Sequence, residues 1–129
     1  MKGIAPMKRI EKDKVREERI TMEVVVDANG PEEQAMGWYY YLADNLSVPF
    51  KARCITERHT SPLKVGEEVK VVEMASGDDC LHEMFVAVQW SGRTLAIPLS
   101  QITPVETDDK TQEVVEDWHY WVARGYEFG

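Results

Sequence analysis

The sequence predicts an α+β domain, mostly β: a small curled barrel of SH3-like type with about five strands, one helix before the strands and one after them. Three observations carry this. Helical periodicity appears in two separate stretches, near residues 32–46 and 107–125. Between them, Phe50 to Pro104 holds short runs of β-branched and aromatic residues broken by Gly, Pro, Ser and Asp. The length, 129 residues, suits one domain with little room for a second.

Taken in order, residues 1–19 are a charged leader of mixed sign with few apolar residues, a composition open to a solvated helix or a frayed tail. Residues 20–129 then read as a single domain. Ile20–Val26 is rich in β-branched residues and reads as a strand. Asp27-Ala28-Asn29-Gly30-Pro31 is a turn that also starts a helix, with Pro suited to the first helical position. That helix spans Glu32 to about Leu46, because Ala35, Trp38, Tyr39, Leu42 and Leu46 fall on one face. Val48-Pro49 ends it.

Strands follow at Phe50–Glu57 and Glu67–Met74, where Val69 and Val71 alternate with charge. Ser76-Gly77-Asp78-Asp79 is a polar loop. Met84–Trp90 and Thr94–Leu99 form a hairpin about Ser91-Gly92. In the last helix Thr107 is the expected cap, with Asp108 and Asp109 in the first turn. Val114, Val115, Trp118, Trp121 and Val122 make the apolar stripe, and Gly125 ends the helix.

Composition narrows the function. No apolar run approaches the ~20 residues needed to cross a bilayer. The first residues lack the apolar core of a secretory signal, so the expected compartment is the cytoplasm and the two cysteines are expected as thiols. The net charge is −8, unevenly spread: residues 1–20 carry +3 and residues 21–129 carry −11. An acidic body is unsuited to phosphate backbones, which excludes nucleic acid as a partner. It suits a cation, a basic partner, or solubility alone.

No glycine-rich phosphate loop, G-x-S-x-G, H-E-x-x-H or CxxC is present, so no enzyme is expected. Cys54, His59, Cys80 and His82 lack the spacing of zinc modules. Calcium takes six to eight oxygens. Asp27-x-Asn29-Gly30 begins like an EF-hand loop, but its glycine comes two places early and Trp38 stands where the closing Glu belongs. Helix starts account for Asp27, Glu32, Glu33, Asp108 and Asp109, where the dipole favours anions. Asp44 is different: it falls in the last turn of a helix, where a carboxylate is unfavourable unless a cation sits there too. Asp78, Asp79 and Glu83 form a second like-charged group, with no basic residue closer in the sequence than Lys70 or Arg93.

The run from Asp27 through Gly37-Trp38-Tyr39-Tyr40-Tyr41-Leu42 to Asp44 resembles the CcbP-type calcium-binding proteins. So do Ser61–Val69, Glu83-Met84-Phe85-Val86, Leu95–Gln101 and Asp117-Trp118-His119-Tyr120-Trp121. The likeness covers about residues 20–128 in unbroken order. It implies a soluble, intracellular, non-EF-hand protein that binds Ca2+ as a buffer or a sensor, with a compact, mostly β fold. By the same resemblance a carboxylate after the Tyr-rich helix and one before the Met-Phe-Val strand are expected to act: here Asp44 and Glu83. Asp27, Glu32, Asp78 and Asp79 are further candidates. The rival reading is an SH3-like interaction module, with Trp90 and Tyr39–Tyr41 forming a groove for a basic or proline-rich peptide. A protein partner gated by calcium joins the two readings; no membrane partner is expected.

Overall fold

The computed structural model describes residues 10–128. Residues 1–9 of the leader lie outside them. Helix α1 runs Lys14–Arg19, capped by Asp13, whose carboxylate accepts the Arg16 N–H at 3.0 Å. The chain continues as a wide helical turn over Ile20–Val24. The predicted strand over Ile20–Val26 is therefore absent. Ile20 and Val24 are buried while Thr21, Met22 and Glu23 are exposed. Burial at a spacing of four is helical, and packing of these two residues outweighs their β propensity. Gly37 permits the contact: a Cβ there would collide with the carbonyl oxygen of Val24.

Helix α2 spans Pro31–Asn45, with Pro31 at its start and Glu32 and Glu33 in its first turn. Its cap position is Gly30, without a side-chain cap. Asp27 does not cap it; instead Asp27 adopts a left-handed φ of 60°. Glu33 reaches back to the Asn29 N–H at 2.6 Å. Ala35, Trp38, Tyr41 and Leu42 face the core, and Tyr39 lies half-buried beside them.

Five strands follow: β1 (Phe50–Cys54), β2 (Glu68–Met74), β3 (Phe85–Trp90), β4 (Arg93–Pro98) and β5 (Ile102–Val105). They form one antiparallel sheet in the order β4-β3-β2-β1-β5. The register aligns Phe50 with Val71, Ala52 with Val69 and Pro104, Cys54 with Ile102, and Val71 with Val88. One face is thereby apolar and buried. A bulge at Val72 restores that alternation further along β2.

The sheet is open, with β4 and β5 as its edges, so it does not close into the expected curled barrel. The helices bury the inner face that closure would otherwise have covered. Helix α3 (Asp109–Ala123) packs on β5 and on the short helical turn Leu99–Gln101. Its cap is Asp108, which accepts the Thr111 N–H at 2.7 Å; Thr107 does not cap. Past its end Gly125 takes φ 81°. The Gly125 and Tyr126 N–H groups close onto the carbonyls of Val122 and Trp121. Trp38 is wholly buried, its ring edge-on to Tyr41, Trp118 and Trp121 at 5.1–5.9 Å.

Candidate metal centre

The carboxylates fall into two classes, those the protein satisfies and those it leaves open. Asp117 is the extreme of the first. It is fully buried and accepts from Arg16 Nη1 at 2.7 Å, Arg19 Nε at 3.0 Å, Arg19 Nη2 at 2.6 Å and the Tyr41 hydroxyl at 2.7 Å. Two guanidiniums from α1 thus neutralise one carboxylate of α3. The bond to Asp117 raises the pKa of Arg19, and burial followed by the same carboxylate raises that of Tyr41. Asp117 escapes a reading of loops and helix ends. Its signal is a carboxylate set inside the apolar stripe of Val114, Trp118 and Trp121.

A second clasp joins the same elements. Glu17 accepts from the Tyr120 hydroxyl at 2.6 Å and the Tyr126 hydroxyl at 2.7 Å. Burial opposes its charge, but the two phenols, together with the charges of Lys12 and Arg124, outweigh burial and hold the carboxyl below its ordinary range. Asp108 is likewise spoken for, by Thr111 and by the Ser47 hydroxyl, and its pKa is lowered by Ser47 first and Thr111 second.

The open class contains most of the sequence-predicted ligands. Asp44 lies exposed in the last turn of α2, a turn with no basic residue. The chain leaves the helix sharply there. The Asn45 side-chain amide takes the Tyr41 carbonyl at 2.7 Å, and the Leu46 N–H takes that of Leu42 at 2.9 Å. The Ser47 N–H, which would serve Ala43, goes to Thr111 Oγ1 at 2.9 Å instead. Residue 49, which would serve Asn45, is a proline without an N–H. A carboxylate and unserved helix carbonyls therefore share the negative end of α2. This donor set is all oxygen, the chemistry of a hard cation.

Asp27 and Glu32 lie at the opposite end. Glu32 and Asp44 are about 18 Å apart along the axis at 1.5 Å per residue, too far to share one ion. Glu32 does approach the other loop: Pro31, Glu32, Leu81, His82, Glu127 and Phe128 line one cleft. Asp78 and Asp79 sit exposed on the short helical turn Gly77–Cys80, against which α2 packs. Glu83 belongs to the satisfied class. Arg58 grips it at 2.7 and 3.4 Å, supplying the basic neighbour that proximity in sequence did not show.

Among the described residues, no three His, Cys, Asp or Glu side chains converge in a way that holds a metal. Cys54 and Cys80 are buried thiols bonded to the local backbone, and burial raises the Cys80 pKa. His119 is held by the Leu99 carbonyl at 3.2 Å, with burial lowering its pKa. Any ion on this surface would draw on backbone carbonyls and water as well as carboxylates.

Comparison with known proteins assigns the class. A family model for calcium binding of the CcbP type matches residues 18–122. The crystal structure of Anabaena CcbP superposes with a TM-score of 0.84 at 43% identity, over 95% of this chain and all of that one. A calcium-binding protein in its calcium-binding form superposes with a TM-score of 0.81, also at 43% identity and with the same coverage. No curated protein matches the chain at a significant level. The chain belongs to the CcbP calcium-binding family.

Proposed function

We propose that this chain is a soluble intracellular calcium-binding protein acting as a buffer, with carboxylates and backbone carbonyls of non-EF-hand segments as ligands. One observation carries the reading: Asp44, exposed and without a basic neighbour in its turn, stands beside unserved carbonyls at the negative end of α2. A divalent ion there turns an unfavourable carboxylate into a favourable one. It also relieves the repulsion of a body carrying −11 over residues 21–129. Asp27, Glu32, Asp78 and Asp79 are further candidate ligands; since no three of them converge, each would hold an ion only together with backbone carbonyls and water. Glu83 would join them only by exchanging Arg58 for the ion.

The setting of α2 supports the buffering role. Trp38 and Leu42 anchor the helix in the core with no exposed surface, so an ion at either end has little to move.

Calorimetric titration with calcium tests the reading. Saturable heat is expected in wild type, strongly reduced in Asp44→Asn and retained in Asp108→Asn, whose carboxylate caps a helix. Wild-type protein without saturable heat overturns calcium binding; equal heats in all three proteins overturn the assignment of Asp44. Tryptophan emission should stay unchanged through the titration, whereas a large shift from the Trp38 cluster would make the protein a sensor.

A further inference from the structure

The open sheet has a second face, turned away from the helices, and its chemistry is opposite to that of the rest of the body. Three of the eight basic residues after residue 20 project from it: Lys51 and Arg53 on β1 and Lys70 on β2. Lys51 stands directly across from Lys70 in the register. Like charges so placed repel, and a fold tolerates them at a cost. Glu68 is the carboxylate that lines the groove beside them, divided between Arg53 at 3.0 Å and Lys51 at 3.8 Å, while Glu73 is the other exposed acid of β2, further along the strand. Lys70 has no ion-pair partner among the described residues. The lysine side chains border a shallow groove of about 360 Å³ together with Pro49, Phe50, Val69 and Gln89.

We infer that the outer face of β1 and β2 is a docking surface for an acidic peptide segment of a partner protein, with a carboxylate of that segment seated between Lys51 and Lys70. Such a carboxylate removes the cross-strand repulsion, and exposed Pro49, which lines the groove, meets a neighbouring aliphatic side chain. Charge selects this occupant. A basic or proline-rich peptide, the partner expected for an SH3-like module, would meet two lysines and an arginine. An extended polyanion such as nucleic acid or an anionic bilayer would meet the local surplus on this face and then the acidic remainder of the body. A short segment with one or two carboxylates meets only the former. The inference stands apart from calcium, since none of these residues is a candidate ligand.

The test is fluorescence anisotropy at low salt, using a short fluorescein-labelled peptide of alternating Glu and Leu and its Lys-Leu counterpart. Saturable binding of the Glu peptide is expected, weakened about tenfold or more in Lys51→Gln/Lys70→Gln and kept in Lys51→Arg/Lys70→Arg. Unchanged circular dichroism in both variants assigns the loss to the surface rather than to folding. Absence of saturable binding overturns the inference. So does equal binding by the Gln variant or equal binding of the Lys peptide. Lysine-dependent capture on phosphatidylserine vesicles without binding of the Glu peptide would also overturn it, making the face a membrane contact.

Discussion

Helices α2 and α3 are each 15 residues long, and each carries an aspartate on which much depends. Asp117 sits mid-helix in α3, wholly buried, with two arginines and a tyrosine donating to it. Asp44 sits in the last turn of α2, exposed, with a free helix end around it. The protein has spent its nearby cations on the first and none on the second. Arg16 and Arg19 of α1 are matched to α3 and serve there as structural counter-ions, while the acids of α2 stay open to solvent. A carboxylate held for architecture and the one proposed here as a ligand therefore differ in partners more than in residue type.

Substitution should separate the two classes by sign. Asp117→Asn keeps the shape but leaves Arg16 and Arg19, whose side chains are about four-fifths buried, only their longer ion pairs with Asp13, Glu116 and Glu113 at 3.6–3.9 Å. A loss of about 3–5 kcal/mol is expected in urea unfolding. Asp44→Asn should instead stabilise calcium-free protein by about 0.3–1 kcal/mol, by removing a negative charge from a helix C-terminus. Destabilisation by Asp44→Asn comparable with that of Asp117→Asn would erase the distinction.

Gly37→Ala attacks the docking of the Ile20–Val24 turn rather than its charges. The added methyl meets the Val24 carbonyl, and about 1–3 kcal/mol should be lost, with the first protease cut falling near α1. Acid probes the second clasp. Because Glu17 titrates below its ordinary value near 4.5 when folded, its stabilisation is complete above that pH. It fades as the pH falls through the folded value. Between pH 6 and 3 the urea midpoint of wild type should therefore fall more steeply than that of Glu17→Gln.

The smallest effect is expected at the border between the classes. Arg58→Gln removes an ion pair about one-third exposed and worth about 0–1 kcal/mol. If Glu83 joins a calcium site, the same change should tighten calcium binding a few-fold in the titration, since the competing guanidinium is gone. An unchanged isotherm would leave Glu83 purely structural.

Much of the architecture was legible because it is local. Apolar residues at helical spacing gave α2 and α3, alternation gave β2, and Pro31 and Gly125 marked a start and a stop. The stretch Ile20–Val26 misled because β-branched residues carry a strand signal that says nothing of what lies nearby. Here Gly37 offers a helix a place to dock. The open sheet escaped for a similar reason, since strand patterns are the same whether a face is covered by helices or by closure.

The sequence by itself determined the acidity, the two amphipathic helices, the β-rich middle and the run of residues that marks the CcbP family. These depend on composition and on spacings of a few residues, which the chain carries whatever its shape. Only the tertiary structure decided which acids are neutralised. The partners of Asp117 lie 76, 98 and 101 positions away, and Arg58 reaches Glu83 across 25. Coulomb and hydrogen-bond energies act over a few ångströms of space, and separation along the chain does not report that distance.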